Sequence, residues 1–168
     1  PDVIRTLTDT VDIFLTDFKY GTAETAEKYS VGIAVENIFA PFFSWQVEDH
    51  IELIESMNSP LVGACWDFGH ANLQVSERGH VEDFKMIVDK IKILHVNDNH
   101  ACEDRHLCPG IGTAKFSELL PILFRSGFEG FFNMECGVHC RTEALDLTYY
   151  DCIAKCARLL IDEAMAKL

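Results

Sequence analysis

Glu36, Asp67, His95 and Glu135 could together hold a divalent cation. Each stands at or near the end of a short apolar run: VGIAVENIF (31–39), LVGACWDFGH (61–70), IKILHVNDN (91–99) and GFFNMEC (130–136). Three carboxylates and one imidazole form a hard, oxygen-rich donor set that suits one Mn, Co, Mg or Zn ion. Singly, each residue has a plain structural use: Glu36 could cap a helix, Asp67 could fix a turn, and His95 could be a hydrogen-bonded core histidine. Their equivalent places in four separate runs favour the metal reading. A second set is nearby. His70 follows Asp67 by three residues, and Asp104-Arg105-His106 closes the stretch HVNDNHACEDRH (95–106), which holds three His and three acids. His70, Asp104 and His106 could bind a further zinc or grip the hydroxyls of a substrate. Arg105 could pair with a phosphate or carboxylate. Trp66, beside Asp67, could be core or could wall a sugar face.

Other polar residues carry no assigned chemistry. His50, His80, His100 and His139 read as helix or loop residues. Five residues separate Cys102 from Cys108, which matches no common structural zinc spacing. PGIG (109–112) reads as turn chemistry rather than a phosphate cradle. The seven cysteines are odd in number and include no CxxC pair, so buried or idle thiols in a reducing cytoplasm are expected.

Helices and strands must position these groups. Residues 3–29 carry Val3, Leu7, Val11, Phe14, Leu15 and Phe18 at helical spacing. The four apolar runs read as buried parallel strands. Helices are predicted between and after them at 47–57, 81–91, 116–126 and 144–167. Asn58-Ser59-Pro60 stops the first of these and Gly127 the third. Strand–helix alternation implies a parallel sheet, whose strands point their C-terminal ends at the active site. No composition break divides the chain, so residues 1–168 are expected to form a single domain.

With 48% hydrophobic and 24% charged residues in 168, the composition is that of a soluble globular domain. No apolar run is long enough to span a membrane. A net charge of −13 opposes nucleic acid as the main partner, because duplex binding needs lysines and arginines to displace counterions. A small-molecule enzyme is the better expectation.

VENIF, CWDFGHANL, HVNDN…DRHLCPGIG and GFFNMEC, in this order, resemble the last four strands of the xylose isomerase-like TIM barrel superfamily. That group includes sugar (phosphate) isomerases and epimerases and the endonuclease IV-type AP endonucleases (AP endonuclease family 2). The resemblance implies a (β/α)8 barrel of which strands 5–8 and their helices are present. It implies metal ligands at Glu36, Asp67, His95 and Glu135. In the epimerase branch, Glu36 and Glu135 would also be the catalytic acid and base, and His70 would touch a substrate oxygen. In the endonuclease branch, His70, Asp104 and His106 would hold an additional zinc. Ile111 stands where the family's PGxG loop usually carries an acid.

Three functional expectations result. The first is a metal-dependent sugar or sugar phosphate isomerase or epimerase working through an enediolate. The second is a zinc phosphodiesterase acting at abasic sites, with several zinc ions. The third is a non-catalytic half barrel. Two open sheet edges invite pairing, so it would dimerise or await a missing N-terminal half.

Overall fold

The computed structural model describes residues 32–39, 46–73, 76–137 and 141–168. The predicted helix over 3–29, together with Trp45, His139 and Cys140, lies outside the described residues. In chain order the elements are β1 (Ile33–Glu36), α1 (Val47–Ser56), β2 (Val62–Asp67), α2 (Phe68–Leu73) and α3 (His80–Ile87). A 3-10 turn (Val88–Lys90), β3 (Ile91–Val96), α4 (Phe116–Arg125), β4 (Phe131–Met134) and α5 (Glu143–Met165) follow. The expected alternation is present.

All four strands end short of the runs predicted for them, and at two of them the side chains show the physical reason. The second strand ends at Asp67 rather than running to residue 70. Asp67 Oδ1 accepts the backbone N–H of His70 at 2.7 Å. This is the hydrogen bond of a helix N-cap, three residues back from its donor, and it turns Phe68–Leu73 into a helix. The third strand ends at Val96 rather than at 99, because Asn97, Asp98 and Asn99 turn to bind the loops described below.

Among the described residues the sheet is four-stranded and wholly parallel, in the order β1-β2-β3-β4. Its register explains how four residues on four strands can meet. Glu36 pairs with Cys65, two residues short of Asp67; Asp67 is level with His95; and His95 pairs with Asn133, two residues short of Glu135. The level of these four residues thus advances along the strands by two, none and two residues. Strands tilted in an eight-stranded barrel of shear eight show an advance of this kind, averaging about one residue per strand.

Side chains alternate across each strand. Val62, Ala64 and Trp66 of β2 and Leu94 and Val96 of β3 join one apolar core with Ile54 of α1, Phe84 and Ile87 of α3, and Leu119, Leu120 and Leu123 of α4. Cys65, Asp67, Ile93 and His95 occupy the alternate positions. Phe84 is fully buried, with ring centroids 5.4 Å from Trp66 and 6.1 Å from Phe68. Burying one such ring contributes about 2–3 kcal/mol.

α5 docks on α4 through an unusual join. Pro121 lies inside α4 and has no N–H to give to the carbonyl of Ser117. Lys167 Nζ donates to that carbonyl instead, at 3.0 Å, and Arg125 Nη2 donates to the carbonyl of Lys167 at 2.6 Å. No helix among the described residues is long and apolar enough to cross a membrane.

Candidate functional site

Glu36, Asp67, His95 and Glu135 converge at the C-terminal ends of the strands, with one donor atom from each lying within 4.8 Å of the others. His95 Nδ1 is the focus. It lies 2.9 Å from Glu36 Oε1, 2.9 Å from Glu135 Oε2 and 3.7 Å from Asp67 Oδ2. An imidazole Nδ1 carries at most one hydrogen, and here three carboxylate oxygens crowd it. Among the described residues, Glu135 Oε2 is buried with no donor beyond this shared nitrogen. A group of acceptors exceeding its donors in this way fits a cation. The spacing fits too, since cis ligands each about 2.1 Å from an octahedral ion stand about 3 Å apart.

Electrostatics agree with that reading. Burial opposes charge on His95, but hydrogen bonding to Cys65, Glu135 and Glu36 pushes it up to about 12. Burial would raise Glu36, yet His70 and His95 hold it down at about 2. The His95 ring keeps Glu135 below the usual carboxylate range. Asp67 is wholly buried, and desolvation raises it to about 6. A protonated imidazole therefore serves as the counterion for the carboxylates where no metal is bound.

The second set is also assembled. His70, Asp104 and His106 lie within ligand distance of one another. Asp104 Oδ2 is 3.4 Å from His70 Nε2 and 3.2 Å from His106 Nε2. The opposite ring nitrogens face backbone carbonyls: His70 Nδ1 is 2.9 Å from the carbonyl of Asn37, and His106 Nδ1 is 2.7 Å from that of Glu135. Such partners fix the ring orientation and leave both Nε2 atoms directed at Asp104. His70 joins the two sets, with Nδ1 3.3 Å from Glu36 Oε1. Despite burial, the Glu36 and Asp67 carboxylates raise His70 to about 9.

Two residues expected to touch substrate, Trp66 and Arg105, are engaged elsewhere in this structure. Trp66 is buried in the helix-facing core against Phe84. Because Asp67 points the other way on the same strand, Trp66 cannot wall this site. Arg105 is exposed and pairs with its neighbour Glu103, between Asp104 and His106 of the second set.

The residues that sequence reasoning passed over are Asn37, Asn97, Asp98 and Asn99, all buried. Asn37 grips the backbone of Asp67 twice, donating to its carbonyl at 3.0 Å and accepting its N–H at 2.7 Å. Asn97 Nδ2 donates to Asp67 Oδ2 at 2.8 Å. Both carboxylate oxygens of Asp98 accept backbone N–H groups from the loop that carries Asp104 and His106. Asn99 Nδ2 donates to the carbonyl of Gly69, and its Oδ1 accepts from Asn72. This ties α2, which bears His70, to the same loop. The signal available in the sequence was an unbroken polar triplet directly after a buried strand.

A family model described as xylose isomerase-like TIM barrel matches residues 18–151. The uncharacterized protein MJ1311 of Methanocaldococcus jannaschii is 32% identical over 114 residues, 67% of this chain and 39% of that protein. A solved D-tagatose 3-epimerase-like protein superposes with a TM-score of 0.63 at 23% identity, over 95% of this chain and 55% of that one. A solved L-ribulose 3-epimerase gives a TM-score of 0.66 at 21% identity, over 86% and 52%. The chain thus spans about 39% of the curated relative and about half the length of these solved structures.

Proposed function

The chain belongs to the xylose isomerase-like TIM barrel family, and from that premise we propose that it carries the metal- and proton-handling half of a sugar isomerase or epimerase site. The observation behind this reading is the convergence of three carboxylates and one imidazole, one per strand end, on a single point. Glu36, Asp67, His95 and Glu135 would hold one divalent cation: Mn, Co, Mg or Zn. When bound, such an ion supplies Lewis-acid polarisation of a carbonyl oxygen, which acidifies the adjacent C–H.

The chain's own groups perform the proton transfers. Glu36 and Glu135 are both ionised at neutral pH, and both are partly open to solvent and hence to substrate. Glu135 takes the proton from the carbon beside the carbonyl, and the C–H electron pair moves into an enediolate. The charged His70 ring, with Nδ1 3.3 Å from Glu36 Oε1, passes Glu36 the proton that it returns to the other face or the other carbon, and Glu135 then gives its proton to solvent, from which His70 is reprotonated. His70, Asp104 and His106 hold the hydroxyls of a small sugar or sugar phosphate. The six free thiols among the described residues suit a reducing cytoplasm.

Bound-metal stoichiometry after purification without chelator tests this reading. About one divalent ion per chain is expected, and a Glu36→Ala/Asp67→Ala variant with unchanged circular dichroism should lose it. No ion in either protein would remove the metal from the mechanism. Two or more zinc ions would support a second reading that the assembled His70–Asp104–His106 set favours: a zinc phosphodiesterase of the AP endonuclease type. Incision of an abasic-site duplex would then decide. Loss of metal in wild type, regained on adding a partner half barrel, would identify the chain as a fragment inactive alone.

A further inference from the structure

We propose that Asn97 is a positioning residue of the metal centre, orienting the Asp67 carboxylate, and that its role is separable from its contribution to stability. The inference rests on the metal reading of the site. Asp67 is wholly buried, so protein groups rather than bulk water must orient its carboxylate. Rotation about the terminal bond of an aspartate is only weakly restrained by its own torsional preference. Two donors fix it here: the His70 N–H on Oδ1 at 2.7 Å and Asn97 Nδ2 on Oδ2 at 2.8 Å. Oδ2 is the oxygen that faces His95 Nδ1. Asn97 therefore holds the ligand-bearing oxygen, while the helix cap holds the other. Asn97 follows His95 by two residues and reaches the same side of the chain.

The rest of the Asn97 amide supports a role beyond packing. Its Oδ1 is buried and has no hydrogen-bond partner among the described residues, a deficit that native interiors usually avoid. That oxygen lies over Gly69, where an added Cβ would come within 1.9 Å of it. Flipping the amide would aim Oδ1 at Asp67 Oδ2, setting two acceptors against each other. The site thus keeps an unsatisfied acceptor so that an N–H can face the ligand carboxylate. Sacrificing local hydrogen bonding for ligand geometry is expected at functional positions.

Mn(II) titration of the full chain, followed by the EPR signal of free Mn(II), tests this. The variants are Asn97→Leu, which fills the same space without polar atoms, Asn97→Ala, and Asn99→Ala as a control. Asn99 is as buried as Asn97 and its side chain is more heavily hydrogen-bonded, but its partners are Gly69, Asn72 and Ala101. Asn97→Leu is expected to hold Tm nearer the wild-type value than Asn97→Ala does, while weakening Mn(II) binding about 10–100-fold, the usual effect of losing a group that orients a metal ligand. Asn97→Ala should weaken Mn(II) binding similarly with a lower Tm. Asn99→Ala should lower Tm with less than about threefold change in Mn(II) affinity. Unchanged Mn(II) affinity in both Asn97 variants would overturn the proposal, as would equal weakening in Asn99→Ala. Wild-type protein that binds no Mn(II), Co(II) or Zn(II) would overturn the metal reading itself, a result distinguishable from either.

Discussion

Glu135→Gln is expected to stop exchange of the substrate's C–H hydrogen with solvent while leaving the fold intact. Incubation with candidate ketoses and ketose phosphates in deuterated water, followed by proton NMR, measures that exchange. Gln matches Glu in shape, so the end of β4 should not move, but an amide cannot accept the substrate proton. Loss of a positioned general base costs typically ~100- to 10,000-fold, and the upper part of that range is expected here. Glu135 is held ionised by the His95 ring 2.9 Å away, so in wild type the base is ready at neutral pH. The same substitution removes one metal ligand, and metal content must be measured alongside. Exchange lost with metal retained assigns the base. Exchange continuing at the wild-type rate would rule Glu135 out and leave Glu36 as the base.

The parts of this site that were legible in the sequence share a physical cause. A buried parallel strand must be apolar along its length, so a carboxylate or imidazole at its end stands out. Glu36, Asp67, His95 and Glu135 were visible for that reason, and the tilt of the strands brings them level. The placement of Trp66 was legible too, because adjacent strand residues face opposite ways: if Asp67 faces the site, Trp66 faces the helices. Other features depend on contacts distant in sequence. Phe68 and Gly69 continue the apolar pattern of β2, and only the carboxylate of Asp67, bonding to the His70 N–H, decides that the chain turns helical there. Asp67 is thus both a helix cap and a proposed metal ligand. Asn97, Asp98 and Asn99 resemble loop residues bound for solvent. Their burial depends on partners such as Asp67, Gly69 and Gly112, which lie 14 to 30 residues away.

Asp98 is the strongest case of such a residue, and Asp98→Ala is expected to lower stability by about 3–5 kcal/mol. Its buried carboxylate accepts four backbone N–H groups. Asn99 and Ala114 donate to Oδ1 at 2.8 and 3.0 Å, and Gly110 and Gly112 donate to Oδ2 at 2.9 and 2.8 Å. Its backbone pairs both ways with Leu107, at 2.9 and 2.8 Å. One residue therefore gathers the start, middle and end of the loop that carries Asp104 and His106. The two glycines make this possible. Gly110 adopts a φ of +89°, in the left-handed region that glycine enters freely. At Gly112 a Cβ would lie 2.1 Å from the carbonyl oxygen of Asn99. Each buried N–H stripped of its acceptor costs about 1–3 kcal/mol, but the exposed Gly110 can turn to water, so the sum falls short of four full penalties. Urea unfolding measures the loss. Amide exchange at Gly112 and Ala114 should accelerate, while the metal stoichiometry of the Glu36–Asp67–His95–Glu135 set should hold, because Asp98 contacts none of those side chains through its carboxylate. A loss below about 1 kcal/mol with those amides still protected would mean that the loop is held by Asn99 and Thr113 instead, whose own bond spans 2.8 Å from the Thr113 N–H to the Asn99 carbonyl.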